Sequence, residues 1–217
     1  MQALAICLAA LAGYIDAVAF LETRGFFVSF MSGNTTRLGA AIALHTGSAA
    51  VAAGLIAIFI AGVAGGSLAG HFAKNHRRSS VLSFVAALLF VASCCASIGA
   101  QAAAIAILTL AMGAENTVFE QDGEIQIGLT YMTGTLVKLG QRLAAMLRGG
   151  DRTGWVSYLL LWLGLLGGGT TGAALYGYIG LFALWPATAG AAFLVVFSVF
   201  AENAQTIDGS PKKKRAR

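Results

Sequence analysis

Apolar residues along this chain fall into eight long segments separated by short polar stretches. A bilayer is crossed by about 17–25 apolar residues in a helix, and each segment has that length. Alternation of apolar and polar residues over strand-length stretches, which an outer-membrane barrel requires, does not occur. The pattern predicts an all-α polytopic membrane protein, with segments at residues 2–21, 26–45, 48–72, 80–98, 101–119, 125–147, 154–178 and 182–201.

Composition agrees with a membrane protein. The chain is 58% hydrophobic and 11% charged, with a mean hydropathy of +0.78, whereas soluble domains carry about 25% charged residues. The apolar N-terminus lacks a basic leader, so we interpret it as a retained first helix. Cys7, Cys94 and Cys95 lie in apolar segments without metal-ligand spacing, and neither a metal nor a cofactor is expected.

Two stretches about 100 residues apart carry nearly the same motif. Residues 29–39 read SFMSGNTTRLG, and residues 130–140 read TYMTGTLVKLG. A duplicated interruption of a hydrophobic segment is the best sequence pointer to a transporter's binding site. The duplication predicts two membrane repeats, at residues 1–100 and 101–202, followed by a polybasic tail at residues 203–217.

The cations favour one topology. Lys and Arg accumulate in cytoplasmic loops, and they cluster here at residues 74–78, 148–152 and 212–217. If all eight segments crossed, these clusters would fall on both sides of the membrane. If the second and sixth segments enter and leave on the same side, all three become cytoplasmic. We therefore expect six spans and two broken or re-entrant segments, inverted repeats, and cytoplasmic N- and C-termini in the bacterial inner membrane.

The broken segments hold the expected solute site. Ser, Thr and Asn are favoured helix N-caps, and glycine permits the turn before them. Two helices starting inside the membrane would aim free N–H groups and positive dipole ends at an anion or a polar solute. The alternative is an unbroken helix whose small residues pack against neighbours. The expected binding residues in these motifs are Ser32, Gly33, Asn34, Thr35, Thr133, Gly134 and Thr135.

Acidic residues within apolar segments mark a second feature. Asp16 lies inside the first segment, and its repeat counterpart is Asn116, with Glu115 adjacent. A carboxylate at the centre of a membrane helix costs about 2.5–3.5 kcal/mol, so it should face a cavity or a partner. We expect Asp16 and Asn116 beside the solute, and Asp16 and Glu115 to bind or relay a coupling proton or cation. A structural ion pair between Asp16 and Arg37 is the alternative.

Arg37 and Lys138 occupy equivalent places, four residues past the motif glycines. They would add positive charge near the pocket, or else extend to lipid headgroups. Two rows of glycine at four-residue spacing predict close helix packing, within the monomer or in a homo-oligomer. The rows are Gly62, Gly66 and Gly70, and Gly164, Gly168 and Gly172.

Several stretches resemble one known family. GYIDAVAFL at residues 13–21, FVSFMSGNTTRLG at residues 27–39 and MGAENTVF at residues 112–119 are similar to the YoaK-like bacterial membrane proteins, whose function is unknown. That resemblance implies Gln-Asn at positions 115–116, and this chain has Glu115 instead. In outline the repeated motif is also similar to the crossed half-helices of sulfate-permease-like and nucleobase transporters, which is an analogy of fold alone.

The leading hypothesis is a secondary transporter or channel-like carrier of a small anionic or polar solute. Its partners would be that solute and membrane lipids, with no nucleic acid, because the basic tail follows a membrane helix and suits anionic headgroups. The sequence lacks G-x-S-x-G, H-E-x-x-H and Walker motifs, so no enzyme is predicted. The alternative is a non-transporting membrane scaffold or assembly partner that uses the glycine faces.

Overall fold

The computed structural model describes residues 2–73, 76–121, 124–125 and 129–207. Each predicted segment contains a helix, and a short antiparallel pairing, β1 (Glu120–Gln121) with β2 (Glu124–Ile125), follows the fifth one. A 3-10 turn, Gly180–Ala183, separates the last two helices. The helices are α1 (Gln2–Glu22), α2 (Met31–Ala43), α3 (Ser48–Phe72), α4 (Arg77–Ser97), α5 (Gln101–Glu115), α6 (Met132–Leu147), α7 (Val156–Ile179) and α8 (Leu184–Ile207).

Four helical stretches of the described chain are long and apolar enough to cross a membrane: α1, α3, α4 and the region Val156–Phe200, which contains α7 and most of α8. The apolar helix α5 has 15 residues, or about 22 Å at 1.5 Å per residue, against a hydrocarbon core of about 30 Å. The prediction of an all-helical, multi-pass membrane protein is confirmed.

Local sequence sets where the helices stop. After α4, Gly99 adopts a φ of 79°, and the N–H of Ala100 bonds to the carbonyl of Cys95 at 2.9 Å. After α6, Gly149 has a φ of 84°, and the N–H of Gly150 reaches the carbonyl of Ala145 at 3.0 Å. A left-handed residue with these bonds is the Schellman motif, which glycine adopts without steric cost. Both helices therefore end in turns that the sequence specifies.

Two pairs of parallel helices form the centre of the molecule. A side chain at Gly168 of α7 would collide with the carbonyl of Ala10 in α1, and one at Gly13 would collide with that of Leu165. In the same way α3 lies against α5, where Gly62 meets the carbonyl of Leu110. Because these contacts leave no space for a Cβ atom, the glycines allow backbone-to-backbone packing.

Both predicted glycine rows take part in these contacts. In α7, Gly168 meets the carbonyl of Ala10 and Gly172 meets that of Tyr14. In α3, Gly62 meets the carbonyl of Leu110, and Gly66 lies against Ala114. The rows therefore make close helix contacts within the monomer.

The helix ends show how the chain doubles back. Glu22 at the end of α1, Ala50 near the start of α3 and Gln101 at the start of α5 line one crevice, which marks the Glu22 end of the molecule. At the opposite end, the Arg77 end, Arg77 at the start of α4 pairs with Glu120 just after α5 at 2.9 Å. Since α1 finishes and α3 begins at the Glu22 end, the chain through α2 leaves and returns to that same end.

The sixth segment doubles back at the other end. The fifth helix finishes toward the Arg77 end, and α7 begins there because it runs parallel to α1. The antiparallel pair α4 and α8 closes the bundle, with the hydroxyls of Ser93 and Thr188 2.9 Å apart. The carboxylate of Glu202, near the end of α8, accepts from the Ser79 hydroxyl at 2.7 Å. Thus α8 also finishes at the Arg77 end.

Candidate functional site

The two copies of the duplicated motif face each other across one cavity of about 270 Å³. Its walls come almost equally from both copies, with Phe59 of α3 as the additional residue. Residues 29–32 supply one wall and residues 130–134 supply the other. Because each stretch precedes or begins a short helix, α2 or α6, the cavity lies where both chain reversals reach the interior.

Asp16 anchors the first wall. Its Oδ1 accepts the backbone N–H groups of Val28 at 2.8 Å and Ser29 at 2.9 Å, and its Oδ2 accepts the Ser29 hydroxyl at 2.7 Å. A carboxylate can only accept hydrogen bonds, so these three donors suit its ionised form. Asp16 thereby fixes the bend at Val28 and Ser29 that precedes α2. The alternative ion pair with Arg37 is wrong for this structure.

Asn116 takes the same place in the second wall. Its Oδ1 accepts the hydroxyl of Thr130 at 2.9 Å, and its Nδ2 donates to the carbonyl of Met112 at 2.9 Å. Thr130 is the repeat counterpart of Ser29, so the two walls share one hydroxyl-to-anchor bond. Each side chain thus accepts the hydroxyl found two residues before its short helix begins, and Asp16 also accepts two backbone N–H groups.

The short helices begin earlier than predicted. Their caps are Phe30 for α2 and Tyr131 for α6, and neither makes a side-chain capping bond. The prediction that Ser, Thr or Asn caps these helices is wrong. Ser32 and Gly134 therefore lie within the first helical turn, and Phe30 enters it with a ψ of 75°. The bend at Val28 and Ser29, which Asp16 holds, comes directly before α2, and α2 begins without a capping side chain.

Three of the predicted motif residues line the cavity: Ser32, Thr133 and Gly134. Gly33 instead lies against the rings of Phe30 and Phe27. The Thr35 hydroxyl turns back to the carbonyl of Met31 at 2.8 Å, and that of Thr135 turns back to Tyr131 at 3.3 Å. The structure thus brings the start of each motif together and directs the rest toward its own helix.

Asn34 acts as a clamp on the chain reversal. It is fully buried. Its Oδ1 accepts the backbone N–H of Phe27 at 3.1 Å, and its Nδ2 donates to the Phe27 carbonyl at 2.7 Å. Asn34 therefore supports the first wall from behind and does not line the cavity. The second half has Thr135 at this position and makes no such clamp among the described residues.

Replacing Asn34 with Ala should lower stability while leaving the second wall unaffected. Both backbone groups of Phe27 would lose a buried partner, at about 1–3 kcal/mol for each unsatisfied group. Thermal unfolding in detergent should show a clearly lower Tm. The matched change Thr135→Ala, which removes one bond inside a single helix turn, should shift the Tm much less; equal shifts would contradict the clamp.

The predicted cations lie away from the cavity. The Arg37 guanidinium stacks over the ring of Phe26, 5.1 Å from its centroid, and lies beside Gly25. Lys138 is exposed on α6. Neither residue is part of the cavity lining. Arg37 therefore lies against the loop after α1 and adds no charge to the cavity wall.

Glu115, the residue before Asn116, lies in an unusual environment for a carboxyl group. It is completely buried at the end of α5, and neither side-chain oxygen has a hydrogen-bond partner in the described structure. Its helix α5 contacts α1, the helix that carries Asp16. No cluster of three or more His, Cys, Asp or Glu side chains that could hold a metal occurs in the part of the chain that the structure describes.

Polar contacts also join three helices and the stretch after α5 at the Arg77 end. Glu120 pairs with Arg77 and accepts the hydroxyl of Ser67 near the end of α3. Glu202 accepts from Ser79 and lies 3.3 Å from His76. These contacts connect α3, α4, α8 and the stretch after α5. They close the bundle at the end opposite to the α2 reversal.

Sequence reasoning missed two kinds of site residue. Ser29 and Thr130 were not proposed, although a hydroxyl at the same position of both motifs is a signal that could have found them. The aromatic walls formed by Phe30, Tyr131 and Phe59 were also missed. Aromatic residues are abundant throughout an apolar chain, so the pattern gives no reason to single these out.

Comparisons with known proteins identify the family of this chain. Residues 4–197 match the model of a family described as a protein of unknown function (DUF1275). The chain is 37% identical over 165 residues to the UPF0700 transmembrane protein RA0705 of Rhizobium meliloti (strain 1021), covering 75% of this chain and 70% of that protein. No solved structure matches. The resemblance to the YoaK-like proteins is confirmed, and the chain belongs to the DUF1275 family of membrane proteins of unknown function.

Proposed function

We propose that this protein is a secondary transporter or channel-like carrier that moves a small polar or anionic solute across the bacterial inner membrane. The observation that carries the proposal is the single cavity lined by equivalent residues of both motifs. Irregular backbone at membrane depth is tolerated where it is buried in protein or lines a cavity. Here the irregular stretches before α2 and α6 both line that cavity. In transporters with inverted repeats, the binding site lies at the interface of the repeats in the same way.

The proposed architecture has six crossings, two re-entrant segments and inverted repeats. If the two repeats are exchanged, α1 takes the place of α5 and α7 takes the place of α3. The α1–α7 contact then becomes the α5–α3 contact, and in both pairs a glycine packs against a backbone carbonyl. The exchange also turns the Asp16–Ser29 bond into the Asn116–Thr130 bond. An approximate two-fold axis through the cavity accounts for both correspondences.

The cations support an orientation with both termini in the cytoplasm. Arg77 and Arg78 begin α4 at the Arg77 end, and residues 148–152 precede α7 at that same end. The predicted tail at residues 212–217 and Lys74 lie outside the described residues, but α8 finishes at the Arg77 end. Under the positive-inside rule, this end would face the cytoplasm.

The cavity fits a small solute. Pockets for drug-sized ligands have volumes of about 300–1,000 Å³, and this one is slightly smaller at about 270 Å³. Two helix N-termini offer free N–H groups and positive potential to an anion or a carbonyl oxygen. Ser32 and Thr133 add hydroxyls beside aromatic walls. With Arg37 and Lys138 elsewhere, the site would accept weakly charged or neutral polar solutes as well as small anions.

Gly134 offers a direct test of the cavity. It lines the cavity and has open space where a Cβ would lie, so Gly134→Leu should fill the cavity without a clash. Gly140 lies on the same helix, also has open space and does not line the cavity. Uptake of labelled acetate, phosphate, sulfate, urea and glycerol into proteoliposomes should identify a transported solute. Gly134→Leu should then lower its uptake at least tenfold, while Gly140→Leu retains it.

The alternative, a non-transporting scaffold, makes a different prediction. A scaffold should show no protein-dependent flux of any solute in the panel, and Gly134→Leu should have no more effect than Gly140→Leu. Equal, normal uptake by both variants would place the solute path elsewhere and contradict the proposed site.

A further inference from the structure

Two carboxyl groups near the cavity have opposite surroundings. Asp16 accepts three hydrogen bonds, two of them from backbone N–H groups. Glu115 is completely buried, and both of its oxygens lack a hydrogen-bond partner in the described structure. A buried carboxylate without partners is neither solvated nor paired, so the neutral acid is the form that this position accommodates. The two carboxyl groups lie on helices that contact each other, Asp16 on α1 and Glu115 on α5.

No Lys, Arg or His side chain of the described residues forms an ion pair with Glu115. The helices packed against α5 are α1, α3 and α4. Along α1 the titratable groups are Cys7, Tyr14 and Asp16, with Glu22 at its end. Among described residues, α3 and α4 carry their charged or titratable groups near helix ends: His71 on α3, Arg77 and Arg78 on α4 with Glu120 paired to Arg77, and Cys94 and Cys95 at the far end of α4.

Asp16 connects this buried acid with two openings. It lines a groove between α1 and α7, beside Leu165 and Gly169. Through the hydroxyl of Ser29 it also reaches the central cavity, which Ser29 lines. A proton could therefore pass between the cavity and Glu115 by way of Asp16, whereas the equivalent place in the second repeat holds Asn116, which cannot titrate.

We propose that Asp16 and Glu115 together hold one exchangeable proton, carried by Glu115 in this conformation, and that this proton drives the carrier. The inference rests on the proposed transport function. When the stretch at Val28 and Ser29 moves and withdraws its donors, Asp16 becomes the stronger base and takes the proton from Glu115. Asp16 then releases it to the cavity, and a proton that enters through the groove between α1 and α7 passes by way of Asp16 back to Glu115. One proton crosses per cycle, and the net charge of the pair is the same at its start and end.

Infrared spectroscopy tests the location of the proton without any solute. At neutral pH the protein in lipid vesicles should show the carbonyl band of a protonated carboxylic acid. The band should shift when glutamate is labelled with ¹³C at its carboxyl group, and it should be missing in Glu115→Gln. Glu22→Gln, which removes a carboxyl group at the Glu22 end, should keep it. Absence of the band, or a shift on labelling aspartate instead, would overturn the proposal.

The proposal would also be overturned if Asp16 and Glu115 bound a metal cation instead of a proton. In that case NaCl, compared with choline chloride, should raise the Tm of the wild type and not that of Glu115→Gln. The proposal expects the same Tm in both salts for both proteins.

The driving role is tested with the solute found in the flux assay. An imposed pH gradient should make wild-type vesicles accumulate that solute, and Glu115→Gln should only equilibrate it. If wild-type transport does not depend on the pH gradient, proton coupling is contradicted, but the proposed carrier function is not. Absence of any transport would instead contradict the proposed function, so the two failures are distinguishable.

Discussion

Alanine at position 168 should strongly destabilise the protein, whereas alanine at the neighbouring position 167 should leave it intact. A Cβ atom at Gly168 would overlap the carbonyl of Ala10, and that backbone cannot move without separating α7 from α1. Overpacking of a rigid contact costs about 1–3 kcal/mol or more, out of a total stability of about 5–15 kcal/mol. The same kind of contact recurs between Gly172 and the carbonyl of Tyr14, so separating α7 from α1 would disrupt both contacts.

Gly167 is a control on the same helix turn. No atom lies within 4 Å of a Cβ placed there, and alanine is favoured over glycine in a helix by about 1 kcal/mol. Size-exclusion chromatography and thermal unfolding of the detergent-extracted proteins should show aggregation or a strongly lowered Tm for Gly168→Ala alone. Equal behaviour of the two variants would mean that α1 and α7 do not pack in this register.

Replacing Asp16 with Ala should have the second largest effect, because it releases the first wall of the cavity. Three donors, from Val28 and Ser29, would lose their acceptor. Hydrogen bonds to charged groups contribute about 1.5–3 kcal/mol each. We expect a large fall in Tm and the loss of solute uptake. Ser29→Ala removes one of the three bonds and should give a smaller fall.

Amide hydrogen exchange can locate this effect. In the wild type the N–H groups of Val28 and Ser29 should be protected by Asp16 and should exchange rapidly in Asp16→Ala. The N–H of Thr135, which donates to the carbonyl of Tyr131 at 3.1 Å in the second half, should keep its protection. Unchanged protection at Val28 and Ser29 would show that Asp16 does not hold the chain reversal.

The helices could be predicted closely because their signal is local. Continuous apolar runs specify α3, α4 and α7 nearly to their ends, and glycines such as Gly99 and Gly149 specify the turns after them. The doubling back of α2 and α6 followed from the charge pattern, and the positions of the helix ends agree with it. What the apolar pattern leaves open is which helix packs against which, because lipid and protein surfaces are equally apolar.

The site was less predictable because its key contacts join distant residues. The duplicated motif contains residues from both walls of the cavity, among them Ser32, Thr133 and Gly134. The sequence does not show in which direction a side chain points. Asn34 is buried and binds the backbone of Phe27, and the Arg37 guanidinium lies on the ring of Phe26. A repeat in the sequence fixes equivalent positions, whereas contacts between elements decide which of them reaches the cavity.

The central claim is that both motifs reach one water-accessible cavity, and cysteine labelling tests it most directly. The native Cys7, Cys94 and Cys95 would first be replaced with Ala. In that background Ser32→Cys and Thr133→Cys should react with a charged, membrane-impermeant thiol reagent. Two controls should stay unreactive: Ala111→Cys in the core of α5, and Val137→Cys on the exposed face of α6.

Labelling of both motif positions at rates well above the two controls is the result that the account predicts. It should slow in Gly134→Leu, which fills the cavity. If Ser32→Cys and Thr133→Cys are as unreactive as Ala111→Cys, the motifs are packed dry, and the carrier interpretation is contradicted.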